Sequence, residues 1–543
     1  MPRFGVGGRD PPSRRAASSR ARTTRLDGCG CDDARMEERR TAVIDLGSNS
    51  FRLVVYTADA RWWKRTDEIY EAVRIGEGLA ATGKLGQEGM ARALAAMEVF
   101  AHFCAAAGLA GDEVDPVATS AIRDASNQAE FLERARAETG LRARVLSKEE
   151  EARYGYLAAV NSTTLDDGAV LDLGGGSMQL VRVGGRDARQ LASWPLGAVR
   201  MTERFVPGPG PAKRKQLQAL RAYVHDELGS APWIVGVDRL VGIGGTVRTL
   251  AAMAQRAEEV PEFGVGGFVI TRDVLDELIG RLAKLPAADR VRVPGVKPSR
   301  ADLILAGAIV VDTVLEAGEV DGIEATEAGL REGVFFERLL PGDPPLFDDV
   351  RRASVLNLAA QYGQHPDANP HVAHVARLAL TMFDALGEAG LHPGDPSERE
   401  LLWAAAVLHD TGMTIDYDDH HKHSRYLVIS AGLAGFTQRE VALIGQAVRY
   451  HRKGEPDLGP FRALARPGDS ALLTRTSVLL RLAEALERSR DQLVREVDVQ
   501  PHDGAVRLAL LAEGDARVAT WAARRESELF GRTFGRDLEV APV

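Results

Sequence analysis

The sequence predicts an α/β protein in which two similar domains face one cleft, followed by an all-α domain and a small α+β C-terminal unit. Two stretches, 42–56 and 169–181, repeat one pattern: an apolar strand ending in aspartate, a Gly/Ser turn and a second, mostly apolar strand. This pattern is typical of a β-hairpin, and its repetition indicates two like domains. Between about 349 and 495 the pattern becomes helical throughout, which predicts the third domain.

The composition is that of a globular protein. Of 543 residues, 45% are hydrophobic and 27% are charged, and we find no run of about 18 uninterrupted apolar residues, so no membrane span is expected. The net charge of −9 argues against a general nucleic-acid binder. Three cysteines, Cys29, Cys31 and Cys104, give no credible disulfide framework, which favours a reducing, cytoplasmic location.

The first 38 residues are predicted to form a disordered extension. They are rich in Arg, Ser and Gly and have no periodicity. The Cys29–Gly–Cys31 spacing could indicate a metal pair, but we favour two cysteines of a disordered tail. Met36 precedes the first strand directly and is expected to be the native initiator.

The first domain is predicted to span 39–163. Helices are expected over 87–107 and 127–139, and a short strand followed by a polar turn over 115–127. A third helix begins after Ser147, an N-cap candidate whose partner in a capping box would be Glu150.

The second domain is predicted to span 164–338. It contains the second hairpin and the segment 240–250, in which a strand, a glycine turn and a helix form an arrangement that suits phosphate. A Pro/Gly-rich linker follows at 341–345. The all-α domain is assigned to 346–495 and the small α+β unit to 496–543.

The paired hairpins indicate chemistry with phosphate. Their aspartates, Asp45 and Asp172, stand beside glycine turns whose N–H groups can face an anion, and a carboxylate in that place suits Mg²⁺. A single such aspartate would more often cap its own turn, but a matched pair favours metal binding.

Charged side chains near the turns have two interpretations. Arg52 and Arg123 are either forked clamps on phosphate oxygens or partners in surface salt bridges. The run 149–151 of three glutamates either interacts with a helix N-terminus or supplies the carboxylate that activates water in phosphoanhydride hydrolysis.

The motifs resemble those of the exopolyphosphatase / guanosine pentaphosphate phosphohydrolase (Ppx/GppA) family, in that family's order. The matching segments are IDLGSNSFRLVVY (44–56), ATSAIRDASN (118–127), LSKEEEARYGYL (146–157), VLDLGGGSMQLV (170–181), PLGAVRMTERF (195–205), GIGGTVRTLAAM (242–253) and GVKPSRADLILAGA (295–308). The resemblance implies two actin-like (ribonuclease H-like) domains around a cleft, then an HD-type helical domain.

The resemblance also implies a role for each matched residue. Glu151 matches the base that activates water, Asp172 the carboxylate near metal and water, and Arg123 a phosphate contact; Asp45 and Asp172 would hold Mg²⁺. The implied phosphate-binding residues are Gly47, Ser48, Asn49, Ser50, Arg52, Thr119, Ser120, Gly174, Gly175, Gly176, Ser177, Gly244, Gly245 and Thr246. The last three occupy the position of the superfold's adenosine motif.

The expected reaction is hydrolysis of the terminal phosphate of inorganic polyphosphate, assisted by Mg²⁺ or Mn²⁺. The alternative enzyme removes the 5′-terminal phosphate of pppGpp, which ends in the same phosphoanhydride. A non-catalytic phosphate or nucleotide sensor, or a sugar or acetate kinase of the same superfold, are further alternatives. Glu151 argues against a sensor, and we find no sign of an adenine pocket. Family members are often homodimers, which is the expected state.

The helical domain concentrates histidines. Its signature comprises His371-Val-Ala-His374, His409-Asp410, the run 420–423, His451 and Glu484. The resemblance implies the HD-type metal ligands His374, His409, Asp410 and Glu484, although that type normally has aspartate at the last position. The domain binds a second divalent metal, is itself catalytic, or is a structural extension of the polyphosphate channel.

Overall fold

The computed structural model describes residues 38–261, 264–502 and 504–543. The predicted N-terminal extension, with Cys29, Cys31 and Met36, lies outside these residues. The part from Glu38 to Val543 forms one compact unit. Among the residues described, no helix has both the length and the apolar character needed to cross a membrane.

The first hairpin opens a five-stranded sheet. Its strands are β1 (Arg39–Leu46), β2 (Phe51–Ala58), β3 (Trp63–Glu71), β4 (Val114–Ala118) and β5 (Arg144–Val145), in the order β3-β2-β1-β4-β5. β1 pairs antiparallel with β2, Asp45 opposite Arg52, and parallel with β4. Asp45 therefore reaches the carboxyl edge of β1 at the turn, as predicted.

The helices of this first lobe connect or cover the strands. They are α1 (Leu79–Thr82), α2 (Gln87–Ala106), α3 (Ser120–Arg123), α4 (Gln128–Thr139) and α5 (Lys148–Val160). α5 begins as predicted: Ser147 accepts a hydrogen bond from the N–H of Glu150, and the Glu150 carboxylate accepts one from the N–H of Ser147. This capping box is confirmed, and it fixes where the helix begins.

The second hairpin opens a six-stranded sheet. Its strands are β6 (Gly168–Leu173), β7 (Met178–Gly184), β8 (Asp187–Trp194), β9 (Leu240–Ile243), β10 (Phe268–Thr271) and β11 (Gly322–Ala325), in the order β10-β11-β9-β6-β7-β8. β6 pairs antiparallel with β7 and parallel with β9. The neighbours of β6 repeat those of β1, so the predicted correspondence of the two hairpins is confirmed.

Six helices follow the strands of this second lobe. They are α6 (Ala198–Phe205), α7 (Arg214–Leu228), α8 (Gly245–Ala257), α9 (Arg272–Ala283), α10 (Ile304–Gly318) and α11 (Leu330–Leu339). α11, at the end of the predicted second domain, packs on α5 and β1 of the first lobe. One apolar cluster accordingly joins residues of both sheets, such as Val43 and Val170, with Phe335 of α11. The two lobes therefore share part of their core.

The third part is helical, as predicted. Its helices are α12 (Val350–Gln361), α13 (Pro370–Glu388), α14 (Pro396–Leu408), α15 (His420–Ala431), α16 (Gln438–Tyr450) and α17 (Asp469–Leu486). The chain ends in β12 (Val494–His502), β13 (Ala505–Ala512), α18 (Arg517–Arg524), α19 (Ser527–Phe534) and β14 (Asp537–Pro542). The helices and this small sheet share one apolar core, from Val355 to Val540. The predicted division at 495–496 thus marks a change of secondary structure within one core.

Candidate active site

The two Gly/Ser turns face each other across a narrow cleft. The hydroxyls of Ser48 and Ser120 lie 3.1 Å apart. A Cβ atom on Gly176 would lie 2.5 Å from the Ser120 Oγ and 2.7 Å from the Ser48 Oγ. Glycine allows this close approach, because a side chain there would displace both hydroxyls. The repeated glycine pattern therefore allows two phosphate-facing turns to meet at one point.

Glu151 lies in this cleft on the first turns of α5. Its side chain is buried, and its two oxygens are held separately: Oε1 accepts a hydrogen bond from Ser177 at 3.1 Å and Oε2 accepts one from Arg123 at 2.7 Å. Burial raises the pKa of the Glu151 carboxyl, whereas Arg123 and Ser177 lower it. The outcome is a desolvated carboxylate, fixed in orientation, that is more basic than an exposed glutamate.

Three carboxylates share the cleft. Burial raises the pKa of Asp172 to about 7, and the charges of Glu151 and Asp45 contribute to the rise. Burial also raises the pKa of Asp45, against the opposing charge of Arg331, whose Nη1 lies 3.3 Å from the Asp45 Oδ2. Buried acids that repel one another fit a divalent cation, which would offset that repulsion. Asp45 and Asp172 are the carboxylates that could hold such a cation.

Four arginines line the same cleft: Arg52, Arg248, Arg300 and Arg331. Burial, together with the charges of Arg248 and Arg52, lowers the pKa of Arg300 to about 10. Burial lowers the pKa of Arg52 and of Arg248 as well, and the positive charge of Arg331 is the second largest cause. Cations that crowd one another in a buried space favour a polyanionic ligand.

Of these four arginines, only Arg52 was predicted from the sequence. Arg248 follows the Gly244–Gly245 turn by one helical turn and stands inside a motif already identified, so its spacing was a usable signal. Arg300 lies against Gly245, where a Cβ atom would clash with its guanidinium. Arg331 reaches the cleft because α11 packs on the first lobe, and nothing local indicates that.

The cleft encloses about 120 Å³ and brings most of the predicted residues together. Those that line it are Asp45, Gly47, Ser48, Asn49, Ser50, Arg52, Thr119, Ser120, Glu151, Asp172, Gly174, Gly175, Ser177, Gly244 and Gly245. Asn49 has a buried side-chain N–H₂ group with no hydrogen-bond partner among the described residues, so it can donate to a ligand.

Three predicted residues do not line the cleft. Arg123 Nη1 donates hydrogen bonds to Glu151 and to the carbonyl oxygen of Leu146, so the guanidinium contacts this carboxylate, and its expected contact with phosphate stays a prediction. Gly176 is the contact point of the turns. The Thr246 side chain is fully buried and faces Gly307 in α10. Of the predicted adenosine motif, only Gly244 and Gly245 reach the cavity.

The histidine cluster in the helical part differs from the predicted ligand set at one position. His371, His409, Asp410 and Glu484 converge, with the Glu484 Oε2 at 3.2 Å from His371 Nε2 and 3.3 Å from His409 Nε2. His374 lies outside this group. Its Nε2 is 2.9 Å from the Val494 carbonyl oxygen, and its Nδ1 accepts a hydrogen bond from Arg377. The prediction of His374 as a ligand is therefore wrong, and His371 takes its place.

Two family models and a relative match this chain. Residues 53–341 match the model of the Ppx/GppA phosphatase family, and residues 350–514 match that of Ppx/GppA phosphatase, domain III. A guanosine-5′-triphosphate,3′-diphosphate pyrophosphatase of Vibrio vulnificus is 29% identical over 489 residues, which cover 87% of this chain and 92% of that protein.

Solved structures agree on the fold of the first part. An exopolyphosphatase-like protein is 29% identical, with a TM-score of 0.51, and covers 55% of this chain and 97% of its own. An exopolyphosphatase from Cytophaga hutchinsonii has a TM-score of 0.51 at 22% identity, covers 55% of this chain and 98% of its own, and shows the fold alone. With a family model that matches more than half of its length, the chain belongs to the Ppx/GppA phosphatase family.

Proposed function

We propose that this chain is an exopolyphosphatase, which hydrolyses the terminal phosphoanhydride of inorganic polyphosphate and releases orthophosphate. The observation that supports this most strongly is Glu151, a buried carboxylate held by Arg123 and Ser177 between two phosphate-facing turns. A cleft that only binds phosphate has no need of a basic carboxylate in this place. The family membership supports an enzyme of this class.

The residues of the cleft have different roles in the proposed reaction. The terminal phosphate lies against the backbone N–H groups of the turns 47–50 and 174–177, and the arginines receive the charge of the remaining phosphates. Glu151 accepts a proton from a water molecule as its oxygen attacks the terminal phosphorus, and the bridging oxygen leaves with the shortened chain. Mg²⁺, held by Asp45 and Asp172, would offset charge on the phosphoryl oxygens.

The lining favours polyphosphate over a nucleotide. Glycines, small polar residues and arginines form it, and no aromatic side chain is among the described residues that line the cleft. Binding of a linear phosphate chain requires only cations and N–H donors. The second candidate is the pppGpp 5′-phosphohydrolase activity, which the Vibrio vulnificus relative supports by its name. Both substrates would present the same terminal phosphoanhydride to Glu151.

The decisive experiment measures phosphate release by the purified protein with Mg²⁺, from long-chain polyphosphate and from pppGpp, for wild type and Glu151→Gln. We expect release from polyphosphate that falls at least about 100-fold in the variant, because the base is lost. Glu149→Gln is the matched control: this exposed glutamate of the same helix turn lies outside the cleft lining, and turnover should be unchanged.

The other outcomes discriminate among the alternatives. Faster release from pppGpp would make that compound the substrate. Binding of either compound without release would overturn the enzyme and favour a sensor. Equal release by wild type and Glu151→Gln would exclude Glu151 as the base.

A further inference from the structure

Six potential metal-binding side chains converge inside the helical part, from separate elements. His371 belongs to α13, the pair His409–Asp410 follows α14, and Glu484 belongs to α17. The remaining two are His420, which begins α15, and His451, which follows α16. Five of the six form two triads that share Asp410, His371–His409–Asp410 and Asp410–His420–His451, and Glu484 lies beside the first triad.

The ring nitrogens that face Asp410 carry lone pairs. The Nδ1 atoms of His409, His420 and His451 lie 2.7, 2.8 and 2.7 Å from the backbone carbonyl oxygens of Ala406, Tyr417 and Val448. A carbonyl oxygen only accepts, so each Nδ1 bears the hydrogen, and in a neutral ring Nε2 is then an acceptor. This arrangement fixes the tautomer that metal ligation by Nε2 requires.

Two of these acceptors face each other. The Nε2 atoms of His420 and His451 are 3.1 Å apart, and the Asp410 Oδ1 lies 3.4 Å and 3.9 Å from them. With both rings neutral and protonated at Nδ1, these are three acceptors, which repel unless a proton or a metal ion lies among them. Around the first triad, His371 Nε2, His409 Nε2 and Glu484 Oε2 are buried atoms with no hydrogen-bond partner among the described residues.

The carboxylates add a charge imbalance. Asp410, Glu484 and Glu487 are buried or nearly so beside these histidines. The guanidinium of Arg490, 2.5 Å from the Asp410 Oδ2, offsets one of these negative charges, and the side chain of Arg490 is 45% exposed. Uncompensated buried carboxylates are costly, so the group favours further positive charge.

We propose that this cluster binds two divalent transition-metal ions bridged by Asp410. His371, His409 and Glu484 would complete one site, and His420 and His451 the other. The separations of 3.1–3.9 Å between facing donor atoms suit ligands of one ion, since bonds of 2.0–2.1 Å at a tetrahedral angle put two nitrogens about 3.3 Å apart. Imidazole with carboxylate selects ions such as Mn²⁺, Fe²⁺ or Zn²⁺.

A neighbouring cavity indicates the class of ligand that would reach these ions. It encloses about 230 Å³ and is lined by His451 and Glu484 of the cluster together with arginines and Trp521. The arginines are Arg452, Arg481, Arg488 and Arg525. Of these, Arg488 is exposed, and its guanidinium has no hydrogen-bond or ion-pair partner among the described residues. Guanidinium groups beside a metal pair suit a phosphate group, so the ligand is a phosphate-bearing anion.

The first test counts bound metal in the full chain, independently of activity. The purified protein is stripped with a chelator, loaded with Mn²⁺, desalted and analysed by elemental mass spectrometry. We expect two retained ions per chain in the Asp45→Asn/Asp172→Asn double variant, from which the proposed cleft site has been removed. Retention of no ion, or of only one ion, would overturn the proposed two-metal site.

Further substitutions in this double variant then assign the ions to the cluster. Asp410→Asn should retain neither ion, and His420→Gln should lose one. His423→Gln, on the same helix but outside the cluster, should retain both. Circular dichroism checks that each variant is folded, and electron paramagnetic resonance of wild type should show two coupled Mn²⁺ ions. Full retention by Asp410→Asn overturns the assignment.

Inorganic phosphate tests the ligand class. Added to the Mn²⁺-loaded protein, it should change the electron paramagnetic resonance spectrum, and the change should weaken at least severalfold in Arg488→Glu. The spectrum is recorded in the Asp45→Asn/Asp172→Asn double variant, so that an ion held in the cleft at Glu151 does not contribute. An unchanged spectrum at saturating phosphate overturns the phosphate assignment.

Discussion

At the scale of single residues, Arg123 determines how Glu151 functions. Its guanidinium holds the Glu151 Oε2 at 2.7 Å and also binds the Leu146 carbonyl oxygen, which anchors it to the loop before α5. It therefore fixes both the direction and the charge state of the carboxylate. In the proposed reaction Arg123 is a positioning residue that acts through Glu151.

This contact predicts a change in pH dependence. Burial raises the pKa of Glu151 and Arg123 lowers it, so Arg123→Met should raise the pKa of Glu151 further. The ionised base then persists only at higher pH, and the acidic limb of kcat/KM should move to higher pH, with a lower rate at neutral pH. Arg123→Lys keeps the positive charge. Its kcat/KM should fall, but the acidic limb of its pH profile should move less than that of Arg123→Met. If the acidic limb of the pH profile lies at the same pH in wild type and in Arg123→Met, Arg123 does not control the pKa of Glu151.

Other residues of the site show where local sequence is informative. Ser147 and Glu150 form their capping box within four residues, and no distant contact is needed. By contrast, His371 and His374 are three residues apart on one helix face, so periodicity cannot separate them. The Val494 carbonyl oxygen, 120 residues away, engages His374 and leaves His371 to the cluster.

At the scale of elements, the contact of α11 with α5 joins the two lobes. A Cβ atom on Gly333 would lie 2.0 Å from the backbone carbonyl oxygen of Tyr154 and 2.7 Å from its carbonyl carbon. The helices approach this closely only because residue 333 has no side chain. The same contact brings Arg331 into the cleft and supports the helix on which Glu151 stands.

Gly333→Ala should therefore destabilise the protein and impair the site. We expect a loss of about 1–3 kcal/mol in the free energy of unfolding, because overpacking against backbone cannot relax easily. Urea denaturation measures the loss, and kcat should fall as α5 moves. Gly280→Ala is the control: an exposed position in α9 with open space at its Cβ, where alanine should stabilise by up to about 1 kcal/mol. Equal stability of the two variants would contradict the close contact.

At the scale of the whole molecule, the arginines of the cleft contrast with the negative net charge of the chain. The chain has a net charge of −9, yet its cleft gathers four arginines from both lobes. A polyanion is therefore repelled by the average surface and attracted at one place. Such focusing makes binding depend on ionic strength.

We expect KM for polyphosphate to rise severalfold as salt increases from low concentration to about 1 M, where screening shortens to about 3 Å, while kcat changes little. Arg300→Gln removes one cleft cation and should both raise KM and reduce its slope against salt. The matched control is Arg292→Gln, a mainly exposed arginine outside the cleft, whose slope should equal that of wild type. A KM independent of salt in wild type would contradict an electrostatic cleft.

The sequence by itself determined the features that depend on local order. Strand, glycine turn and strand are adjacent in the chain, so both hairpins, the residues of both turns and the start of α5 could be predicted, and Glu151 followed from the family motif. Only the tertiary structure decided what distant segments bring together: the arginines at 300 and 331, the choice of His371 over His374, the contacts of Arg123 and the shared core of the lobes. The physical reason is that periodicity and capping act over a few residues, whereas side-chain partners, burial and charge depend on packing between elements far apart in sequence.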